Sequence, residues 1–408
     1  MIEDIVKLMG RNLCDHCLGR VYSQLLTGYT DEERGRAIRN FIGMMIDSGK
    51  LDSSKINVNN FYNVRFKQVD LQGQKEKCWL CDDLFDGLDA MAEKAKKRLE
   101  KIEFKDFLVG TRVPDEVLVK EEKLWESIGI EYVESIKSEL NREVGKRIGV
   151  LMDKETNFKN PEIVVLADFA NDQVLLQVNS LYIFGFYQKK ARGIPQCKWG
   201  TPGRYKSSVQ EIVAKPAMKM TKGSGNSFHG MGREDVDARC LGWRSFVLEI
   251  AEPIVRSINL KKLQSEINKS GKVNVKGLKF SDRIMVVKIK TEKADKTYQV
   301  EVEFDKPVDK KELRKILGLR GAISQQTPTR VIHRRADLTR RRIVKDIKYK
   351  IINRKKILLT VKTNAGLYVK ELVHGDSGRT KPSVAEVLGV KATPKNLDVL
   401  CVDVPKDI

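Results

Sequence analysis

Two cysteine pairs, Cys14-Asp-His-Cys17 and Cys78-Trp-Leu-Cys81, constrain this chain more than any other feature. Each C-x2-C lets two thiolates converge on one ion, and two such knuckles complete a tetrahedral four-cysteine zinc site. The knuckles lie about 60 residues apart, where zinc ribbons use roughly 15–20. The segment between them must therefore fold so that the pairs meet. Two unrelated reduced pairs, or a redox C-x-x-C, are the competing readings. His16 lies inside the first knuckle and is expected to point out of it, which leaves Cys14, Cys17, Cys78 and Cys81 as ligands of a structural zinc. Cys197, Cys240 and Cys401 stand alone in the sequence and read as inert.

A chain of 408 residues exceeds one ordinary core, so two or three domains are expected. No stretch approaches the roughly 18 consecutive apolar residues of a membrane helix. The start, MIEDIVKLMGRN, carries early acids and no long apolar run, unlike a signal peptide. A cytoplasmic, monomeric protein with no membrane partner is the expectation, and such a compartment disfavours a disulfide framework. Lys and Arg number 76 against 55 Asp and Glu, a formal net charge of +21. Such a surplus suits a polyanion, above all nucleic acid. A Lys- and Glu-rich thermostable surface is the alternative, but pairing alone does not require this imbalance.

The first 85 residues carry both knuckles around a helical stretch, 31–50, with Ile38, Phe41, Ile42 and Met45 at helical spacing. A second helix is expected over about 86–99, which is rich in helix formers. FLVGTRVP (107–114) and EIVVLADF (162–169) read as strands, with a helix near 131–150 between them. Residues 174–200 read as strand, turn and basic tail. After the glycine-rich GTPGRYKSS (200–208) and TKGSGNSFHGMGRED (221–235), strand-like runs dominate: 246–255, 272–280, 283–304 and 356–362. One helix is signalled by a capping-box pattern, Asp309-Lys-Lys-Glu312, stopped at Gly318. The expected boundaries are 1–85, 86–200 and 201–408, in an α+β chain whose second half is sheet-rich.

Four constellations in that half carry chemistry. In GREDVDARCLG (232–242), Asp235 and Asp237 point the same way if the segment is extended. They suit a D-x-D metal site, an acid/base pair, or one nucleophile with a structural partner. A loop whose acids pair with Arg233 and Arg239 fits equally well. In AGLYVKELVHGDSGRTKPSVAEVLG (365–389), Tyr368 and Lys370 follow a strand end, placed to stack on a base and pair with an acid, or to be a core tyrosine beside an exposed lysine. Tyr298 opens the apolar face of the strand DKTYQVEVEF, ahead of Val300, Val302 and Phe304; a core role suits it locally. From Thr327 to Lys350 there are nine Lys/Arg against two Asp, so Arg330, Arg334, Arg335, Arg340, Arg341 and Arg342 are expected to grip phosphates, with Arg379 nearby.

Together these segments resemble the archaeal and eukaryotic tRNA pseudouridine synthases that act on the TΨC loop. The resemblance rests on GREDVDARCLG with Phe246, on QQTPTRVIHRRAD and on AGLYVKELVHGDSGRTKPSVAEVLG. The paired knuckles match that family's zinc-bearing N-terminal region, and KNPEIVVLADFANDQVLLQVNSLYIFGFYQKKARGIPQCKW resembles its RNA-binding THUMP module. The similarity runs through essentially the whole chain.

The resemblance implies an N-terminal zinc-bearing, THUMP-containing RNA-binding region and a C-terminal pseudouridine synthase domain. It implies tRNA as partner, no catalytic cofactor, and isomerisation of uridine 54, uridine 55 or both. The family's Gly-Arg-x-Asp pattern falls on Gly232-Arg233-Glu234-Asp235 and nominates Asp235 for catalysis. Arg233 would fill the stack vacated by the flipped base. Tyr298 and Tyr368 would contact substrate, and Lys370 would pair with the catalytic aspartate; Asp237 would be structural. One departure is visible. The family's Leu-Gly-x-Gly-Arg-Pro-Phe is here Leu241-Gly-Trp-Arg-Ser-Phe246, one residue shorter, so the backbone behind Asp235 is expected to be shaped differently. The alternatives are a THUMP-type methyltransferase or thiolase, for which a nucleotide-binding glycine loop is missing, and a non-catalytic zinc-containing RNA-binding protein.

Overall fold

The computed structural model describes residues 1–198 and 205–405, with the backbone but not the side chain of Arg334. The chain forms two compact units, Met1–Asn179 and Ser180–Ile408.

In the first unit the helix Asp31–Asp47 begins with a capping box, Thr30 accepting from the Glu33 backbone and Glu33 reaching back to Thr30. Its inward face is Gly35, Arg39, Ile42, Gly43 and Ile46, while Phe41 is 47% exposed and takes no part in that face. Gly35 allows a close approach: a Cβ there would sit 1.9 Å from the carbonyl oxygen of Asp15, at the first knuckle. The helix Leu88–Leu99 leads into strand β1 (Asp106–Arg112). The short β2 (Glu155–Thr156), β3 (Ile163–Asp168) and β4 (Gln173–Val178) complete a sheet in the order β2-β1-β3-β4, antiparallel only between β3 and β4. Ile163, Val165 and Ala167 point to one face of β3, as the period of two requires. The helix Ile136–Met152 buries Ile136, Leu140, Val144 and Ile148 at four-residue spacing. One hydrophobic core runs from Ile5 to Val174 and includes Cys17, Cys78 and Cys81, so the knuckle region and the strands after it pack as one body.

The second unit is built on a ten-stranded sheet. Its strands are β5 (Leu181–Lys189), β6 (Gly225–Gly230), β7 (Arg239–Ala251), β8 (Val273–Ser281), β9 (Lys296–Phe304), β10 (Gly321–Gln326), β11 (Thr339–Asn353), β12 (Lys356–Thr363), β13 (Thr380–Lys381) and β14 (Ala392–Val402). The order is β13-β10-β11-β12-β9-β14-β7-β5-β8, with β6 also on β7. The strand over 181–189, read from sequence as part of the RNA-binding stretch, pairs instead with β7 and β8 in this sheet.

Three more local expectations are corrected. Residues 283–291, read as strand, are a helix: Asp282 caps the Met285 amide, and Val286 and Ile289 face inward three residues apart while Ile284 and Val287 stay exposed. Residues 225–230, in the glycine-rich stretch where no strand was expected, form β6, and Val209–Thr221 and Leu260–Asn268 add helices. Asp309 makes no side-chain cap bond; one helical turn, Lys310–Leu313, continues as the tighter helix Arg314–Leu319.

One edge of β7 is taken by β5. The other is shared, by β14 at Arg239 and Cys240 and by β6 from Phe246 to Ala251. Between them, from Leu241 to Ser245, neither strand pairs with β7. The partners of β7 divide there; one hydrophobic core gathers around β9, β11 and β12, another around β5, β7 and β8, and a third, with Phe184, Cys240, Val247, Val399 and Val402, spans β5, β7 and β14 between them.

Candidate functional site

The loop from Met231 to Ala238 joins β6 to β7 across that division. Gly232 takes a φ of +76°, a left-handed conformation that glycine adopts without strain. The loop backbone is fixed from beneath. Lys189, fully buried on β5, donates from Nζ to the carbonyls of Asp235 at 2.9 Å, Val236 at 3.2 Å and Ile194 at 2.9 Å. Arg192 donates to the carbonyl of Asp237 at 2.9 Å. Arg192 and Arg239 both bind the carboxylate of Asp398 on β14. Arg239 thus ties the loop to β14 rather than pairing with the loop's own acids.

The three acids of GREDVDARCLG diverge. Glu234 turns inward, where Tyr187 donates to it at 3.3 Å and Arg244 lies 3.2 Å away. Asp235 stands at a cleft, its side chain one-third exposed (33%), with Arg330 Nη1 and Lys370 Nζ each 3.3 Å from it. Asp237 is more exposed and takes Lys370 Nζ at 2.7 Å. Burial pushes the Asp237 carboxyl up, but the Lys370 ammonium outweighs it and holds the group below the ordinary carboxylate range. Lys370 therefore bridges both aspartates and sits closer to Asp237.

The cleft has a volume of about 600 Å³. It brings together Arg233, Asp235, Tyr298, Tyr368 and Lys370, five residues nominated from sequence, with Arg330, Arg335, Arg340 and Arg342 on its walls. Nine cations and three acids line it, so it is strongly electropositive. Tyr298 is mostly buried on β9. That burial pushes its hydroxyl up to about 12, so it stays protonated at neutral pH. The backbone of Tyr368 is held on both sides by the buried Gln325, at 2.9 and 3.0 Å, and its hydroxyl accepts from Arg335 at 2.9 Å. Arg341 is exposed and does not line the cleft. Arg379 is engaged within the protein, by the Thr327 carbonyl and Asp337. Arg334 falls outside the described side chains.

Several residues here escaped sequence reading: Lys189, Glu234, Arg244, Lys296, Gln325 and Glu371. The available signal was a charge at an inward strand position, as in Lys189 and Arg244, where an apolar residue is the norm. The Leu241–Phe246 segment also resolves. Tyr187 pairs with Arg244 and Lys189 with Cys240, so three residues of β7 oppose Gln188 alone, whose side chain donates to the Leu241 carbonyl. This bulge turns Arg244 toward the cleft.

In the first unit the sulfurs of Cys14, Cys17, Cys78 and Cys81 all lie within 4.8 Å of one another, with Cys14 and Cys81 at 3.7 Å. A tetrahedron with zinc–sulfur bonds of about 2.3 Å has sulfur–sulfur edges of roughly 3.8 Å, so the donor set could hold such an ion. Asn12 laces the knuckles together, donating from its side chain to the Glu76 and Lys77 carbonyls and accepting at its own carbonyl from Trp79. His16 points away, as expected: it stacks on Phe85 at 4.1 Å and binds the buried Glu139 at 2.6 Å. No helix among the described residues is long and apolar enough to cross a membrane.

Comparison with known proteins gives a consistent picture. The family model "Pus10, C-terminal" matches residues 182–403, and "Pus10 THUMP domain, archaeal" matches residues 91–168. The tRNA pseudouridine synthase Pus10 of Pyrococcus furiosus is 42% identical over 391 residues, covering 95% of this chain and 94% of that protein. Its counterpart from Methanothrix thermoacetophila is 39% identical, covering 95% and 91%. That from Methanopyrus kandleri is 38% identical, covering 98% of both.

Proposed function

This chain belongs to the Pus10 family of tRNA pseudouridine synthases, and on that premise we propose that Asp235 is its catalytic residue, acting on uridine 54, uridine 55 or both in the TΨC loop. The observation that carries this reading is the placement of Asp235 at an electropositive cleft also lined by Tyr298, Tyr368 and Lys370.

In this reading the cleft takes a single turned-out uridine. Tyr298 packs against the ring and Tyr368 contacts the nucleotide from the opposite element. Arg233 fills the space the base has left. The N1–C1′ bond breaks with its electron pair going to the ring, C1′ bonds to C5, and the C5 proton is lost while N1 gains one. Asp235, flanked by Arg330 and Lys370, supplies a carboxylate beside the sugar, able to attack C1′ or to stabilise its developing positive charge. Asp237 anchors Lys370. Arg335, Arg340 and Arg342 bind the phosphates around the flipped nucleotide. No cofactor takes part. Cys14, Cys17, Cys78 and Cys81 hold a structural zinc, and the first unit, including the THUMP region, is the further tRNA-binding part of a cytoplasmic monomer.

The test is to incubate unmodified tRNA transcript with wild type, Asp235→Asn and Asp237→Asn, then map pseudouridine by position. Loss of turnover of at least about a thousand-fold is expected for Asp235→Asn and a smaller loss for Asp237→Asn. An active Asp235→Asn protein, or product at neither 54 nor 55, would overturn the reading.

A further inference from the structure

The inner end of the cleft holds two cations without a task in the mechanism above. Arg244 on β7 is 1% exposed, yet it lines the cleft. Its Nε and Nη1 make no hydrogen bond, and its carboxylate neighbour, Glu234, is shared with the Tyr187 hydroxyl. Lys296, at the start of β9, lines the same cleft, and among the described residues its ammonium pairs with no carboxylate. A Cβ on Gly232 would lie 3.0 Å from Lys296 Nζ and 3.7 Å from Arg244 Nη1, so both cations converge over that glycine. Met231, Ala294 and Val399 add apolar wall beside them.

Burying cationic donors without full pairing is unfavourable, so their persistence at a cavity wall points to an acceptor that arrives with a ligand. A phosphate entering from the mouth meets the more exposed Arg335, Arg340 and Arg342 first. The floor is reached by the flat base, which carries two carbonyl oxygens. We infer that Arg244 and Lys296 form a carbonyl subsite that grips the uracil ring and holds its negative charge once it separates from C1′. When N1–C1′ breaks, the bonding pair stays on the ring and spreads onto its carbonyl oxygens. Fixed cations there stabilise the separated ring more than the neutral base. Charge returns to zero when C5 bonds C1′, the C5 proton leaves and N1 is protonated. This inference rests on the cleft being the uridine site.

The experiment uses the full-length chain and unmodified tRNA transcript, with Lys296→Met, Lys296→Arg, Arg244→Met and Asp235→Asn. Lys296→Met is expected to lower the single-turnover rate at saturating tRNA at least about ten-fold, with Kd for tRNA changed less than about two-fold. The same variant is expected to raise Tm, because an unpaired, partly buried charge is gone. Lys296→Arg should recover most of the rate. A residue kept only for packing would not slow the reaction while stabilising the fold. If Lys296→Met turns over at the wild-type rate while Asp235→Asn is inactive, the subsite is refuted and the cleft assignment stands. If tRNA binding weakens with the rate unchanged, the cations hold a phosphate and the carbonyl assignment fails. If Asp235→Asn is active, the cleft assignment itself fails. Should Arg244→Met not fold, the Lys296 series decides.

Discussion

Glu371 is 1% exposed and directs its charge to one side chain, the guanidinium of Arg330, whose Nε donates to it at 2.7 Å. That leaves Arg330 Nη1 aimed at Asp235. Arg330 stands in a run of cations that reads as a phosphate grip, and its contacts with Glu371 and Asp235 support a proposal that it also positions the carboxylate. Glu371→Gln is expected to lower the single-turnover rate by about ten- to a hundred-fold, with tRNA affinity and its salt dependence nearly unchanged. A fall in affinity with an unchanged rate would return Arg330 to the phosphate-binding group. Sequence could nominate Asp235, Tyr368 and Lys370 because each lies in a long, specific motif, whereas Tyr298 is nominated by the family resemblance against a local pattern that suits a core residue. It could not reveal Glu371 or Lys189, whose partners are 41 and 46 residues away. Their roles depend on register, which no local pattern encodes.

At the scale of elements, the strands with strict alternation were legible, and the misreadings have separate causes. In 283–304 the sequence offers β-branched residues throughout, yet Asp282 caps the first turn and only Val286 and Ile289 are buried there, so a helix precedes the strand. Capping chemistry and tertiary burial overrode propensity. Over 225–230, glycine content masked a strand whose partner is β7. The cysteine knuckles were legible as a pair, but the Asn12 bonds that join them were not. Because Cys17, Cys78 and Cys81 belong to the first unit's core, a metal held by the four cysteines would be coupled to the packing of that unit. Purified protein is expected to carry one zinc per chain by elemental analysis. Cys78→Ser with Cys81→Ser should lose it and become protease-sensitive within residues 1–179. Metal-free protein with unchanged protease resistance would refute this coupling.

Across the whole molecule the charge surplus set the expectation of a polyanionic partner, and the cleft concentrates that surplus locally. Affinity for tRNA should therefore fall at least about ten-fold between 50 and 200 mM monovalent salt, and Arg340→Ala should reduce the log–log slope by about one. A salt-insensitive affinity would remove phosphate neutralisation from the account. The division of partners along β7 has a different consequence. From Leu241 to Ser245 one edge of that strand has no strand partner, and the loop over 231–238 lies against it, with Met231 donating to the Ser245 carbonyl at 2.9 Å. An open strand edge is a template for aggregation. The first residue of the loop that carries Asp235 thus helps cover a sticky edge, beside Cys401 of β14 against Gly242, so the placement of this loop bears on solubility as well as chemistry. A variant that loosened this loop is expected to lower the soluble fraction on expression as well as turnover.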